Sequence, residues 1–220
     1  LLEDFSKIPT LMAPVVERVH KHDAYIGFQL AAGSADIPTM TLEDIEWLQN
    51  TMVDVAVQIK EAGFDIIELH SSATQLMKNM LTARVNTRED QYGADTLENR
   101  TRFTCEVIQK IKEACGADFP IQVLMDACEE NDAKLGDNDN FITLEESIEN
   151  AKMFEAAGAD TIYLRQSVPG MHIAQFAPDL MHSGYRCNGV TGFGTQVDFS
   201  QHFGGTLDGR YSGCGMLLPA

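Results

Sequence analysis

Two patterns of apolar residues alternate along this chain. In "TLEDIEWLQNTMVDVAVQIKEAG" (41–63) apolar side chains fall at helical spacing, and "TLENRTRFTCEVIQKIKEACG" (96–116) and "TLEESIENAKMFEAAG" (143–158) repeat that spacing. Each opens on a Thr able to cap a helix start, followed three residues on by Asp44, Asn99 or Glu146. Each closes on small residues and a Gly, which accepts the backbone turn past a helix end. An Asp and a short apolar run follow: 66–69, 121–125 and 161–164. These runs are continuous rather than alternating, as in strands buried on both faces of a parallel sheet. A further strand is predicted over "AYIGFQLA" (24–31), fed by a helix in "PTLMAPVVERVHKHD".

Repeated strand–helix units dictate a parallel sheet with right-handed crossovers, either open and doubly wound or closed into a barrel. No GxGxxG or GxxxxGK[ST] follows any strand, and the near-identical helix–strand junctions favour an α/β fold of the (β/α) barrel kind, with about four βα units evident. Residues 1–172 hold those units. Residues 173–220 form a Gly-rich, aromatic extension with little periodicity. A stretch of that length is either functional, ordered by what it contacts or completing the barrel, or it is a partly disordered tail.

Composition narrows the function. The 220 residues carry 16 Lys+Arg against 33 Asp+Glu, a net charge of −17. Nucleic acid and anionic membrane surfaces are disfavoured as partners, because both require basic patches. The five cysteines are widely spaced without a CxxC, which fits a reducing cytoplasm better than a disulfide framework or a metal cluster. No apolar run approaches the length of a membrane span, and the N-terminus lacks the basic start of a secretory signal. It also lacks an initiator Met, so a processed chain or a fragment is expected.

Chemistry in a parallel barrel gathers where strands end and loops begin. That places candidates at 29–33, 68–75, 125–130 and 165–172. Gln29 is a polar amide in an expected buried strand, where it must meet either a cofactor or core backbone. His70 closes the strand 66–69, as a ligand-binding imidazole or as a histidine satisfied at a strand end. His172 follows Pro169 and Gly170 and is a candidate proton donor with an ordinary loop histidine as the alternative. Asp126, Glu129, Glu130 and Asp132 are oxygen ligands without EF-hand spacing, so no metal is assigned.

The segment "GFDIIELHSSATQLMKNMLTARVNTREDQYGADTLENRTRF" resembles the central signature of the Old Yellow Enzyme family of flavin-dependent ene-reductases. Asn86, Arg88, Asp90, Tyr92, Gly93, Glu98, Asn99, Arg100 and Arg102 match its N-x-R-x-D-x-Y/W-G-G-x-x-x-N-R pattern. "YIGFQL", "PTMTLEDI", "DFPIQVLM" and "LEESIENAKMFEAAGADTIYL" resemble further family segments in the same order, so the likeness runs over about residues 15–172. It implies a TIM (β/α)8 barrel of the FMN-linked oxidoreductase type. FMN would take hydride from NAD(P)H and pass it to an activated C=C bond of a small unsaturated substrate. Gln29, Ala31 and Leu124 fall on cofactor-binding positions, and His70, Ala73, Gln75 and Arg165 on the substrate side. The dense ionic stretch 86–103 is expected to be an architectural tie over the barrel top, its arginines and acids paired with one another.

Departures from the family are specific. The second residue of its His-x-x-His/Asn pair is Ala73, its proton-donating Tyr is Gln75, and its flavin-contacting Arg is Leu124. Gln75 has no acidic proton to give. The join 33–38 is short, and two strands at each end of the barrel are expected to lie outside the chain. Two readings follow. One is a reductase with a rebuilt site, with His70 binding and His172 donating the proton. The other is a non-catalytic subunit completed by a homo-oligomer or a partner chain. A barrel with a divalent metal at Asp126 and Glu129 is a distant third.

Overall fold

The computed structural model describes residues 5–73, 75–127, 129, 142–165 and 214–217. Helix α1 (Ile8–His20) leads into β1 (Gly27–Leu30), a 3-10 turn (Ile37–Thr39) and α2 (Leu42–Glu61). Then come β2 (Ile66–Ser71), α3 (Leu76–Leu81), α4 (Leu97–Cys115), β3 (Ile121–Asp126), α5 (Leu144–Ala157) and β4 (Thr161–Arg165). β1 to β4 lie side by side in chain order and run parallel, with Gly27 opposite Ile66, Ile67 opposite Ile121 and Gln122 opposite Thr161. This is a segment of a (β/α) barrel wall. Among the described residues no helix is long and apolar enough to cross a membrane.

The caps form as the Thr spacing predicts. Thr41 Oγ1 accepts the Asp44 N–H at 3.0 Å while Asp44 accepts the Thr41 N–H at 2.8 Å. Those bonds from the Thr41 backbone and hydroxyl hold the Asp44 carboxyl below the usual carboxylate range. Thr143 and Glu146 repeat the reciprocal box at 3.2 and 2.9 Å. Thr96 accepts only the Asn99 N–H, at 3.1 Å, because the Asn99 side chain turns instead to Asp95. Gly63, Gly116 and Gly158 take the expected positive φ of 92°, 96° and 113° past their helices.

Four expectations need correction. The sheet is not uniformly parallel: β5 (Cys214–Leu217), the described part of the extension, pairs antiparallel with β4, Thr161 opposite Leu217. It satisfies the outer edge of β4, which would otherwise present unpaired backbone groups. α3 lies where the apolar periodicity predicts no helix. Six residues are too few to display a helical period, and α3 is held by burying Leu76, Met77, Met80 and Leu81. The first strand is shorter than 24–31, and Tyr25 stands 88% exposed before it. Finally, burial on both faces holds for β3, where only Gln122 is less than fully buried, but not for β2. In β2 the fully buried residues alternate, Ile67, Leu69 and Ser71, with half-buried Ile66, Glu68 and His70 between them. The described helices cover one face, over a core that includes Ile59, Phe103, Ile108, Ile121, Val123, Phe154 and Ile162.

The ionic stretch is a tie between loops, built differently from the expectation. Arg88, 7% exposed, pairs with Asp90 inside the stretch, and its other nitrogen donates to the Ile37 carbonyl at 2.9 Å and to that of Met40. It therefore fastens the loop after β2 to the loop after β1. Arg100 and Arg102 pair with other groups: Arg100 with Glu146 and Asn150 on α5, both at 3.0 Å, and Arg102 with the Gln91 carbonyl at 2.8 Å. Buried Asn86 donates to the carbonyls of Met80 and Tyr92 at 2.8 and 2.7 Å. Gly93 is required by close approach, since a Cβ there would lie 2.5 Å from the Arg88 carbonyl oxygen.

Candidate active site

Residues paired in register share a face of the sheet. On the face away from α2, α4 and α5, the register sets Gln29 beside Glu68, Glu68 beside Gln122 and Gln122 beside Thr161. One level higher, toward the strand C-termini, His70 stands beside Leu124 and Leu124 beside Tyr163. At the top Asp126 is in register with Arg165.

The lower level is a continuous polar ladder. Gln29 Nε2 donates to Glu68 Oε1 at 2.5 Å, Gln122 Nε2 donates to Glu68 Oε2, and Thr161 Oγ1 donates to Gln122 Oε1 at 3.1 Å. Gln29 Oε1 takes no hydrogen bond from a described residue. Sequence reading places Gln29 in a buried strand. It is in fact exposed: it lies on β1, the end strand of the described sheet, on the face away from the described helices. Gln122 and Thr161 escaped sequence reasoning as site residues, and Glu68 entered only as the first residue of the stretch 68–75. The signal was available: Gln29, Glu68 and Gln122 are each the polar interruption of an otherwise apolar run.

Above the ladder His70 is half-buried and Leu124 is buried at 5% exposure, so the position where the family motif carries Arg is apolar. Ala31 is exposed just past β1. Ala73 is half-buried with φ at 58°, a left-handed backbone that L-residues with a Cβ rarely adopt. Gln75 caps the start of α3, its side-chain Oε1 buried without a partner. The backbone of Arg165 ends β4 opposite Asp126. His172, Glu130 and Asp132 lie outside the described residues.

The loops above this face are fastened to each other. The Asp126 carboxylate, 4% exposed, accepts the Ser72 hydroxyl at 2.5 Å and the Ala73 N–H at 3.2 Å. Glu129 pairs with Lys78, and its Oε2 accepts the Ile142 N–H at 2.9 Å. The Leu76 N–H donates to the Gly33 carbonyl at 2.7 Å. Asp126 and Glu129 thus turn to separate protein partners. Among the described residues no group of three or more His, Cys, Asp and Glu side chains converges. The arrangement is a sheet face exposed at Gln29 and buried at Leu124, with a hydrogen-bonding floor, an imidazole above it and tied loops around it.

Comparison with known proteins places this arrangement. The family model described as NADH:flavin oxidoreductase / NADH oxidase matches residues 36–175. An NADH oxidase of Thermoanaerobacter brockii is 36% identical over 151 residues, covering 67% of this chain and 21% of that protein. A cinnamate reductase of Clostridium sporogenes is 32% identical over 188 residues, covering 67% of this chain and 27% of that protein. Among solved structures, histamine dehydrogenase from Rhizobium sp. 4-9 superposes with a TM-score of 0.64 at 26% identity, over 74% of this chain and 26% of that one. The chain therefore spans between a fifth and about a quarter of the length of these relatives.

Proposed function

Since this chain belongs to the NADH:flavin oxidoreductase / NADH oxidase family, we propose that it forms part of an FMN-dependent oxidoreductase that reduces an activated C=C bond at the expense of NAD(P)H. FMN supplies the hydride chemistry when bound. The residues present suit its polar edge: Gln29 offers a carbonyl oxygen that no described residue uses, on a floor held by Glu68 and Gln122. Leu124 offers no charge to that ring system, so any electrostatic tuning comes from elsewhere. His70, half-buried one level above the floor, binds the carbonyl or carboxylate of the substrate. Gln75 and Ala73 give shape beside it, and Asp126 fixes the turn that carries Ala73. His172 is the proposed proton donor to the reduced carbon, because the Tyr of the family motif is Gln75 here and an amide cannot give up a proton usefully.

The observation that carries this reading is the ladder Gln29–Glu68–Gln122–Thr161 across the face away from the described helices. Its test is an absorbance spectrum of the purified protein before and after denaturation. Flavin bands, with FMN released on denaturing, support it. A colourless protein that takes up no added FMN overturns it. His172→Ala then tests the proton donor: alkene turnover should fall at least tenfold while flavin reduction by NAD(P)H persists.

A second reading is favoured by one observation, the joint loss of the Arg, the Tyr and the paired His/Asn at Leu124, Gln75 and Ala73. In it the chain is a structural subunit that binds a partner chain or a second copy. A mass measurement in solution separates the two, since the structural reading requires an assembly and no flavin.

A further inference from the structure

We propose that Glu68 is a positioning residue: it sets which end of the Gln29 amide faces the ligand and so makes β1 an acceptor for a ring imide N–H. This deepens the proposal above and rests on it for the identity of the ligand.

The argument begins with the chemistry of the ladder. An ionised carboxylate can only accept hydrogen bonds, whereas a carboxamide donates from one end and accepts at the other. Both Glu68 oxygens are engaged, Oε1 by Gln29 at 2.5 Å and Oε2 by Gln122. Each amide must therefore turn its NH2 toward Glu68. For Gln122 the far end is anchored as well, because its Oε1 receives the Thr161 hydroxyl at 3.1 Å. Glu68 is thus held from the β3 side and presents a fixed acceptor to β1. Gln29 has one arrangement left, with Nε2 on Glu68 and Oε1 turned away. Amide orientation is ordinarily ambiguous. Here the partner's inability to donate removes the ambiguity.

The consequence is specificity. An exposed Gln has several rotatable bonds, and ordering them on binding costs side-chain entropy. Glu68 imposes that order before any ligand arrives. A carbonyl oxygen presented alone selects a donor, such as the N–H between two carbonyls in the pyrimidine ring of a flavin. It leaves a ring carrying only an acceptor, or a methyl group at that nitrogen, without a partner. Glu68 itself touches no ligand in this scheme, so its effect travels through Gln29.

Glu68→Gln keeps the size of the side chain and restores a donor, which permits either orientation of Gln29. Binding of FMN and of 3-methyl-FMN, which lacks the imide N–H, is measured by fluorescence quenching for wild type, Glu68→Gln and Gln29→Ala. The wild type is expected to prefer FMN by about tenfold, and both variants to lose most of that preference. A variant that is merely loosened would weaken on both flavins equally, and that result overturns the inference. So does an undiminished preference in Glu68→Gln. A wild type that binds neither flavin overturns the functional reading and, with it, the ligand assigned here. The polarity of the amide is read separately in the ligand-free proteins. The side-chain NH2 resonances of Gln29 should differ between the wild type and Glu68→Gln, and identical resonances overturn the positioning role whatever the flavin result.

Discussion

Lys78 on α3 and Glu129 beyond β3 form an ion pair almost closed to water, with side-chain exposures of 2% and 0%. The contact fastens the loop after β2 to the loop after β3, directly above the candidate site. Arg84 approaches the same carboxylate at 3.8 Å. A buried pair of this kind is costly to break on one side, because the remaining Glu129 charge stays buried with only the more distant Arg84 to balance it. Lys78→Met is expected to lower stability by about 3 kcal/mol. The double variant Lys78→Met/Glu129→Gln should recover part of that loss, since Gln keeps an acceptor for the Ile142 N–H and carries no charge. Urea midpoints at constant slope measure both. A double variant no better than the single one would mean that lost packing, not the stranded charge, causes the damage.

Arg88 joins two chain segments through one guanidinium, bonding Asp90 in its own loop and the Ile37 and Met40 carbonyls in the loop after β1. Arg88→Ala removes the donors of two backbone carbonyls and the partner of a carboxylate, for an expected loss of about 2–4 kcal/mol. Arg88→Lys should recover less than half, because an ammonium cannot reproduce the planar fork. Thermal unfolding of the three proteins checks the order.

The same contact predicts an acid dependence. The hydrogen bond from Arg88 holds the Asp90 carboxyl below the usual carboxylate range, outweighing the opposing effect of burial. A group with a depressed folded pKa binds its proton more readily when unfolded. Its stabilisation is therefore complete above about pH 4 and is lost as pH falls through the folded value. Stability measured from pH 5 down to pH 2 should drop less steeply in Arg88→Ala than in the wild type.

Tyr92 predicts the alkaline counterpart. Burial, with the hydrogen bond to Glu106 at 2.7 Å, pushes its phenol up to about 12. The unfolded chain releases this proton near pH 10 while the folded chain retains it. The contribution is whole below pH 10 and disappears as pH rises from there toward 12. Tyr92→Phe should flatten that part of the stability profile. An unchanged slope would show that other groups govern alkaline unfolding.

Ala73 holds φ at 58° while its N–H is fixed on Asp126. The left-handed backbone costs an L-residue with a Cβ roughly 1–2 kcal/mol. Ala73→Gly is expected to raise stability by about 0.5 kcal/mol after the greater chain entropy of unfolded Gly is subtracted. Asp126→Asn, which removes the charge that organises this turn, should lower it. Denaturant midpoints give both signs.

Much of this was determined locally and could be read from the chain. The Thr caps at 41, 96 and 143, the Gly residues past each helix and the apolar runs after them depend on neighbours a few residues away, so the sequence alone gives the βα units and their parallel order. The motif from Asn86 to Arg102 likewise marks its own segment and family. What lay across the fold was decided only by tertiary structure. Arg100 pairs with α5 instead of its own acidic stretch, because packing of α4 on α5 brings Glu146 within 3.0 Å. Lys78 meets Glu129 and Glu68 meets Gln122 because neighbouring strands set residues about fifty positions apart side by side. The antiparallel course of β5 and the exposure of Gln29 have the same origin: edge pairing and the face a helix covers are properties of the assembled sheet, with no counterpart in any single stretch of sequence.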